Sequence, residues 1–399
     1  MESICLLLAI AAAKDWRVHY LNVKSVFLNS ELAETVFVKQ APGFAVKGAE
    51  HKGMEELVVG MYVDDLIVTG AWAEDIDSFK REMAAHFKMS DLGALSYYLS
   101  IEVRQGKEHI SLGQRAYAEK LLEHSGMAEC KPCATSMEER LKLSKHSMAT
   151  KVDAMRYWSI VDGLRYLTHT RPDIAFAVGY VSWFMEEPRE DNWTVVKRLL
   201  RYIKGTLDQA IIFSKSGGKG GLRLTVFSEA PPKAKDDEPE LTVFSDVDMV
   251  GDIDGRRSTS SVLFFLGATP IAWQSLEQKI MALSTCEAKY VVAAMATCQA
   301  VWLCWLLGEL TSEEAHLPAL MVDNQPAIAL AKNSVLHDRS KHIDIKFHFL
   351  RDYVDGGQIV IEFVETGIHL ADILTKSLGR LRFMELRKMI GMDEVKTLG

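Results

Sequence analysis

Residues 241–390 constrain the fold of this 399-residue chain most. Short apolar runs rich in β-branched and aromatic residues occur at 241–246, 261–266, 271–275, 319–323 and 359–364. A long apolar helical stretch, 285–310, separates the third run from the fourth. The order reads strand, strand, strand, helix, strand, helix, helix, strand, helix. A three-strand meander followed by alternating helices and strands predicts a mixed sheet with helices packed on it.

Acids fall at the edges of these elements. Asp246 ends the first strand, Asp323 ends the fourth, Glu287 lies in the first turn of the long helix, and Asp372 starts a late helix. Strand ends and helix starts are where α/β sheets build their sites. Singly, each acid reads as a cap or a surface charge. Together, four hard oxygen donors suit two magnesium or manganese ions about 3.5–4 Å apart. Such a pair activates water for in-line hydrolysis of a phosphodiester. Asp248 is a candidate alternate ligand but is expected to face away.

A second acid motif lies upstream. Tyr62-Val63-Asp64-Asp65 sits between apolar β-type runs at 57–61 and 66–68, the pattern of a hairpin with acids at its turn. Adjacent carboxylates repel, so a fold that holds them together usually supplies a cation; an ordinary Asp-Asp turn is the plainer alternative. Around this hairpin, 4–13 reads as a helix, 18–23 and 35–38 as strands, and 74–87 as an amphipathic helix. A hairpin at 96–103 and 109–112 and a helix at 114–125 follow. Residues 134–215 read as helices at 157–170, 174–185 and 192–203, broken at Arg171-Pro172-Asp173. Basic and apolar positions alternate through 196–205, which suits either a solvated helix face or phosphate contact.

Two stretches, 214–221 and 229–240, read as linker. They flank an imperfect repeat, Leu224-Thr225-Val226-Phe227-Ser228-Glu229 and Leu241-Thr242-Val243-Phe244-Ser245-Asp246. The second copy is the expected true strand. The net charge of −8 argues against wholesale attraction to nucleic acid and leaves a local basic groove open. Six cysteines show no disulfide framework, which points to a reducing compartment, cytoplasmic or nuclear, and not to secretion. Cys130-Lys-Pro-Cys133 has no second pair at zinc spacing and reads as a structural turn. The apolar start lacks a basic n-region and carries Glu2, so a buried helix is expected rather than a signal peptide. No apolar run is expected to approach the ~20 residues that span a bilayer, so no membrane partner is expected.

The chain resembles the copia-type retrotransposon Pol polyprotein, from the end of its reverse transcriptase through its ribonuclease H. The stretches that carry the resemblance include Leu21-Asn22-Val23-Lys24-Ser25-Val26-Phe27-Leu28, Gln40-Ala41-Pro42-Gly43-Phe44 and Tyr62-Val63-Asp64-Asp65-Leu66-Ile67-Val68. Further matches are Thr170-Arg171-Pro172-Asp173-Ile174, Arg201-Tyr202-Ile203-Lys204-Gly205-Thr206, Lys341-His342-Ile343-Asp344 and Ala371-Asp372-Ile373-Leu374-Thr375-Lys376. The resemblance implies an α+β fold: a truncated palm and thumb, then a ribonuclease H-like mixed five-stranded sheet with helices. It implies a partial palm at 1–133, a helical thumb or connection at 134–215, a linker at 216–240, a ribonuclease H-like part at 241–390 and a tail at 391–399. It makes Asp246, Glu287, Asp323 and Asp372 the catalytic ligands of two Mg²⁺ or Mn²⁺ ions. It makes Asp64 and Asp65 the palm acids, and Arg339, Lys341 and His342 candidate contacts to a nucleic-acid backbone. The implied partners are RNA–DNA hybrid and other products of the polyprotein.

The departures carry as much weight. Asn22 stands where the family has an aspartate that binds metal. Only a short bridge, 45–56, separates Phe44 from the acid hairpin, so an internal segment of the family's palm is expected to be missing; the resemblance also leaves the usual N-terminal fingers unmatched. Met249 replaces a usual Trp. Cys286 and Lys289 alter the stretch around Glu287; Lys289 replaces an acid and is expected to point to another helix face. The leading expectation is a polymerase-inactive relic whose ribonuclease H part hydrolyses the RNA strand of hybrids by a two-metal mechanism. The alternative is a wholly non-catalytic remnant or nucleic-acid-binding structural protein, and an intact polymerase using Asn22 ranks last. Residues 241–399 are expected to hold their own core and fold alone.

Overall fold

The computed structural model describes residues 1–24, 57–215, 241–248, 254–255, 257–278, 281–282, 284–311, 318–332 and 344–395. The expected strand at 35–38, the first repeat copy, the linker, Met249, and Arg339, Lys341 and His342 lie outside these residues.

The apolar start forms helix α1 (Glu2–Ala13), in which Cys5 through Ala12 are all buried. A helix apolar on every side belongs in a core. Next come β1 (Val18–Val23), β2 (Leu57–Tyr62), β3 (Asp65–Gly70), α2 (Ala73–His86) and β4 (Met89–Ala94). The strands form an antiparallel sheet of order β2-β3-β1-β4. In the expected hairpin Tyr62 pairs with Asp65, leaving Val63 and Asp64 as a two-residue turn. Val63 adopts φ 55°. A β-branched residue takes that left-handed conformation at a cost of about 1–3 kcal/mol.

A second antiparallel sheet begins with β5 (Tyr97–Tyr98), β6 (Ile101–Gln105) and β7 (His109–Gly113). Four helices follow: α3 (Arg115–Ser125), α4 (Ala154–Leu167), α5 (Ala175–Ser182) and α6 (Glu190–Lys204). The chain then returns as β8 (Gln209–Ser214), antiparallel to β7.

The third sheet contains β9 (Leu241–Asp248), β10 (Thr259–Leu266) and β11 (Thr269–Glu277), then α7 (Thr285–Thr311), β12 (Ala319–Val322), α8 (Gln325–Lys332), α9 (Asp344–Asp355) and β13 (Val360–Phe363). Its order is β11-β10-β9-β12-β13. The first three strands are antiparallel, while β12 runs parallel to both β9 and β13. This is the expected mixed five-stranded sheet; α7 carries the chain from the β11 edge to β12, and α8 and α9 form the helical crossover that the parallel pair β12–β13 requires. The second repeat copy is its central strand.

Alternate residues of this sheet enter different cores. Val243, Phe264 and Leu266 join a core with α1 and α7. Phe244, Leu263 and Phe265 join a core with α4, α5 and α6. Trp273 Nε1 donates to the Thr168 carbonyl at 2.8 Å. A Cβ added at Gly179 would meet the Ser275 carbonyl oxygen at 3.4 Å, so α5 lies close against β11. The expectation that residues 241–399 hold a separate core is therefore corrected. One face of their sheet is covered by helices from earlier in the chain.

Two further expectations change. Helix α7 spans 27 residues and is long and apolar enough to cross a membrane by length and composition. Most of its apolar length is buried inside the protein, as befits a core helix. The expected tail also contributes structure. After α10 (Arg380–Met389), β14 (Met392–Glu394) pairs antiparallel with β8, extending the second sheet to β14-β8-β7-β6-β5. Gly391 turns between them with φ 79°, where a Cβ would meet Pro270 Cδ at 2.8 Å.

Candidate functional site

The first carboxylate centre lies where β1 meets β3. Strand pairing sets Asn22 opposite Asp65. Asn22 Nδ2 donates to Asp65 Oδ1 at 3.0 Å, and the Tyr20 hydroxyl donates to the same oxygen at 2.6 Å. Tyr20 and Asn22 share a face of β1 because side chains two apart point the same way. Burial, then the bond to Asp65, pushes the Tyr20 phenol well above its usual pKa, so it remains a donor. The Asp64 carbonyl accepts from the Val23 amide at 2.7 Å and from Asn22 Nδ2 at 3.5 Å. Asn22 and Asp65 are thus brought together, and their contact is one of neutral donor to carboxylate.

The second centre is built from β9, α7, the end of β12 and a short 3-10 helix, Leu370–Leu374. Asp246 is buried. Lys289 Nζ lies 3.3 Å from Asp246 Oδ1 and also contacts Asp323 Oδ1. Asp246 Oδ2 accepts from the Thr375 hydroxyl at 2.6 Å and faces Lys376 Nζ at 3.7 Å. Lys376 Nζ lies 2.8 Å from Asp372 Oδ1. His369 is fully buried beside them, its ring edge-on to Phe244 at 5.8 Å, and among the described residues neither ring nitrogen has a hydrogen-bond partner. One ligand-type atom from each of Asp246, His369 and Asp372 lies within 4.8 Å of the others.

Charge sorts these groups. Burial raises the Asp246 carboxyl, but His369, Lys376, Lys289 and the Thr375 hydroxyl outweigh it and hold it well below the usual range. Burial, then the Asp246 charge, pushes Asp372 up to about 6. Burial lowers His369 against the pull of Asp246 and Asp323. Burial opposes the charge on Lys376, yet Asp246 and Asp372 keep its pKa raised. Asp248 is pushed up by burial first.

The structure corrects the expectation for Lys289. Residues two apart on a helix point roughly 200° apart. Lys289 is the one that faces the sheet, buried between Asp246 and Asp323. Glu287 is half-buried in the first turn, its amide bonded to Ser284 Oγ. Among the described residues, the close ligand group of Asp246, His369 and Asp372 includes neither Glu287 nor Asp323.

This arrangement does not fit the expected pair of divalent ions. Magnesium needs oxygen ligands at about 2.0–2.1 Å in octahedral geometry. The Lys289 ammonium takes the space between the facing oxygens of Asp246 and Asp323. A divalent ion about 4 Å from an ammonium is repelled by about 8 kcal/mol at an effective dielectric near 20. Asp246, His369 and Asp372 have the chemistry to hold one ion, but Lys376 already lies against both acids.

Other candidates resolve simply. On α6, Lys197 pairs with Glu190 at 2.9 Å, Arg198 pairs with Glu138 at 3.0 Å, and Arg201 Nε donates to the Lys131 carbonyl at 2.8 Å. That is an ion-pairing face. Cys130 and Cys133 are free thiols, and Cys133 Sγ, with a single S–H to give, lies 3.4 Å from the Thr135 carbonyl oxygen and 3.3 Å from that of Arg198, as in a structural turn. The sequence reading gave no role to His369, Thr375 or Lys376. Thr375 and Lys376 carry a spacing signal, following Asp372 by three and four residues, one helical turn; His369 carries none.

Comparison with known proteins adds the following. The family described as "Reverse transcriptase (RNA-dependent DNA polymerase)" matches residues 1–55 and 48–139, two pieces that meet at the short bridge. The "Retrovirus-related Pol polyprotein from transposon TNT 1-94" of Nicotiana tabacum is 32% identical over 98% of this chain and 32% of its own length. The corresponding polyprotein from transposon RE2 of Arabidopsis thaliana is 31% identical over 98% of this chain and 29% of its own length. An uncharacterised mitochondrial protein of Arabidopsis thaliana is 33% identical over 61% of this chain and 92% of its own length. The chain therefore spans about a third of the length of the polyproteins it matches. Among solved structures, a foamy viral protease-reverse transcriptase in complex with RNA/DNA hybrid aligns with a TM-score of 0.45 and 11% identity, over 77% of this chain and 36% of that one.

Proposed function

The chain belongs to the copia-type retrovirus-related Pol polyproteins of transposons, and on that premise we propose that it is a Pol fragment without polymerase activity whose ribonuclease H-like part binds RNA–DNA hybrid. The observation that carries the first half is the contact between Asn22 and Asp65. A two-metal transfer centre uses carboxylates to hold and neutralise its ions. Asp65 Oδ1 instead accepts from two neutral donors, Asn22 and Tyr20, and Asn22 brings no charge of its own. Hybrid would be selected by groove shape and 2′-hydroxyl contacts rather than by base sequence.

A primer-extension assay on an RNA template, with magnesium and with manganese, tests the polymerase half. No extension is expected, and measurable extension by the purified chain overturns it. Fluorescence anisotropy with labelled hybrid and labelled DNA duplex tests the other half. Preference for hybrid is expected, and its absence overturns that part. Hydrolysis of the RNA strand is a second reading, favoured by the gathering of Asp246, Asp323 and Asp372 about one end of the sheet and opposed by Lys289 among them.

A further inference from the structure

We infer that Lys289 is a built-in cation standing in for a divalent ion, so that this carboxylate pocket is assembled without metal and is hydrolytically silent. Its ammonium bridges acids on two neighbouring parallel strands, Asp246 on β9 and Asp323 just past β12. Acids crowded in this way need a positive partner if all are to stay ionised. A divalent ion is the mobile solution; a lysine reaching down from α7 is the covalent one. Lys376 does the same for Asp372. The difference is chemical. A metal ion lowers the pKa of a bound water and stabilises a leaving oxygen. An ammonium held between two carboxylates is not a Lewis acid and does neither. The inference rests on the reading above only for the hybrid used as assay substrate.

The test uses the full chain as wild type, K289E, K289Q, D246N and H369A. Manganese binding is read directly from the free-ion electron paramagnetic resonance signal, and in parallel from the Tm. Wild type is expected to show no saturable manganese binding and an unchanged Tm. K289E is expected to gain saturable manganese binding, with a Kd at least about tenfold below the highest manganese concentration at which wild type shows none, a gain of at least about 1.4 kcal/mol. K289Q removes the charge at similar size, so a smaller gain is expected there, and it serves if K289E does not fold. Saturable manganese binding by wild type that is lost in D246N or H369A overturns the inference. So does metal-dependent cleavage of hybrid by wild type, or a folded K289Q that gains nothing. Hybrid binding measured in metal-free buffer reports separately. Its loss sinks the hybrid-binding reading and leaves the role of Lys289 intact, while metal binding by wild type does the reverse.

Discussion

Arg171 and Asp173 flank Pro172 and form a two-pronged buried ion pair, Nε to Oδ1 at 2.9 Å and Nη2 to Oδ2 at 2.8 Å. Two further guanidinium N–H groups reach the Thr206 carbonyl and hydroxyl, and the Tyr202 hydroxyl donates to Asp173 Oδ2 at 2.5 Å. A buried pair offsets its desolvation only when the remaining donors and acceptors are satisfied. This one is, and it ties the break between α4 and α5 to the end of α6. Asp173→Asn would leave a guanidinium buried without a counter-charge. The expected cost is about 3–5 kcal/mol, read as a lower urea midpoint at unchanged slope.

The same pair sets an acid dependence. Burial raises the Asp173 carboxyl, but Arg171, Tyr202 and Arg387 outweigh it and hold it below its usual value. A depressed carboxylate stabilises the fold above its unfolded pKa, about 3.9, and loses that contribution as pH falls through the folded value. The stability gap between wild type and D173N should therefore narrow as pH falls from about 5 toward 2. Urea midpoints across that range check it, and a constant gap would count against the pair.

At the first centre, Asn22→Asp replaces a donor to Asp65 Oδ1 by a second carboxylate. Without metal it should destabilise the chain by about 1–3 kcal/mol, from the lost hydrogen bond and like-charge repulsion. Millimolar magnesium should recover part of that loss. Midpoints measured with chelator and with magnesium distinguish the outcomes; indifference to magnesium would mean the two acids do not converge.

Removing the residues after Ile390 deletes β14. That strand covers an edge of β8 and buries Met392. An uncovered strand edge beside apolar surface is an aggregation site. The truncated chain should elute as soluble aggregate in size-exclusion chromatography, where the full chain elutes as a defined species. A well-behaved truncation product would show the strand to be dispensable.

Local pattern made much of this fold readable. β1, the acid hairpin, the central β9 and α7 lie within a residue or two of where alternation and apolar runs put them. β4 was missed because its Asp91, Leu92 and Ala94 are exposed and it is held by backbone pairing to β1 rather than by an apolar face. β14 is too short to show a period. Places at element edges single out Asp246, Asp323 and Asp372 in the sequence, and the structure sets Lys289 and Lys376 against them. The facing of Lys289 was lost because a helix apolar nearly all round gives no stripe to orient it. His369 is not legible because its burial beside Asp246 and Phe244 leaves no mark in sequence.

The pairing of β14 with β8 also sets the order in which this molecule can be made. Everything from β9 to α10 lies between the two strands of that pair, like a bracketed clause. A chain leaving the ribosome cannot close the bracket until residues 392–394 emerge. Until then the β8 edge is open. Contacts so distant in sequence slow folding and expose partly assembled states to association. A translation stop anywhere between the two strands would yield an unclosed chain rather than a working half.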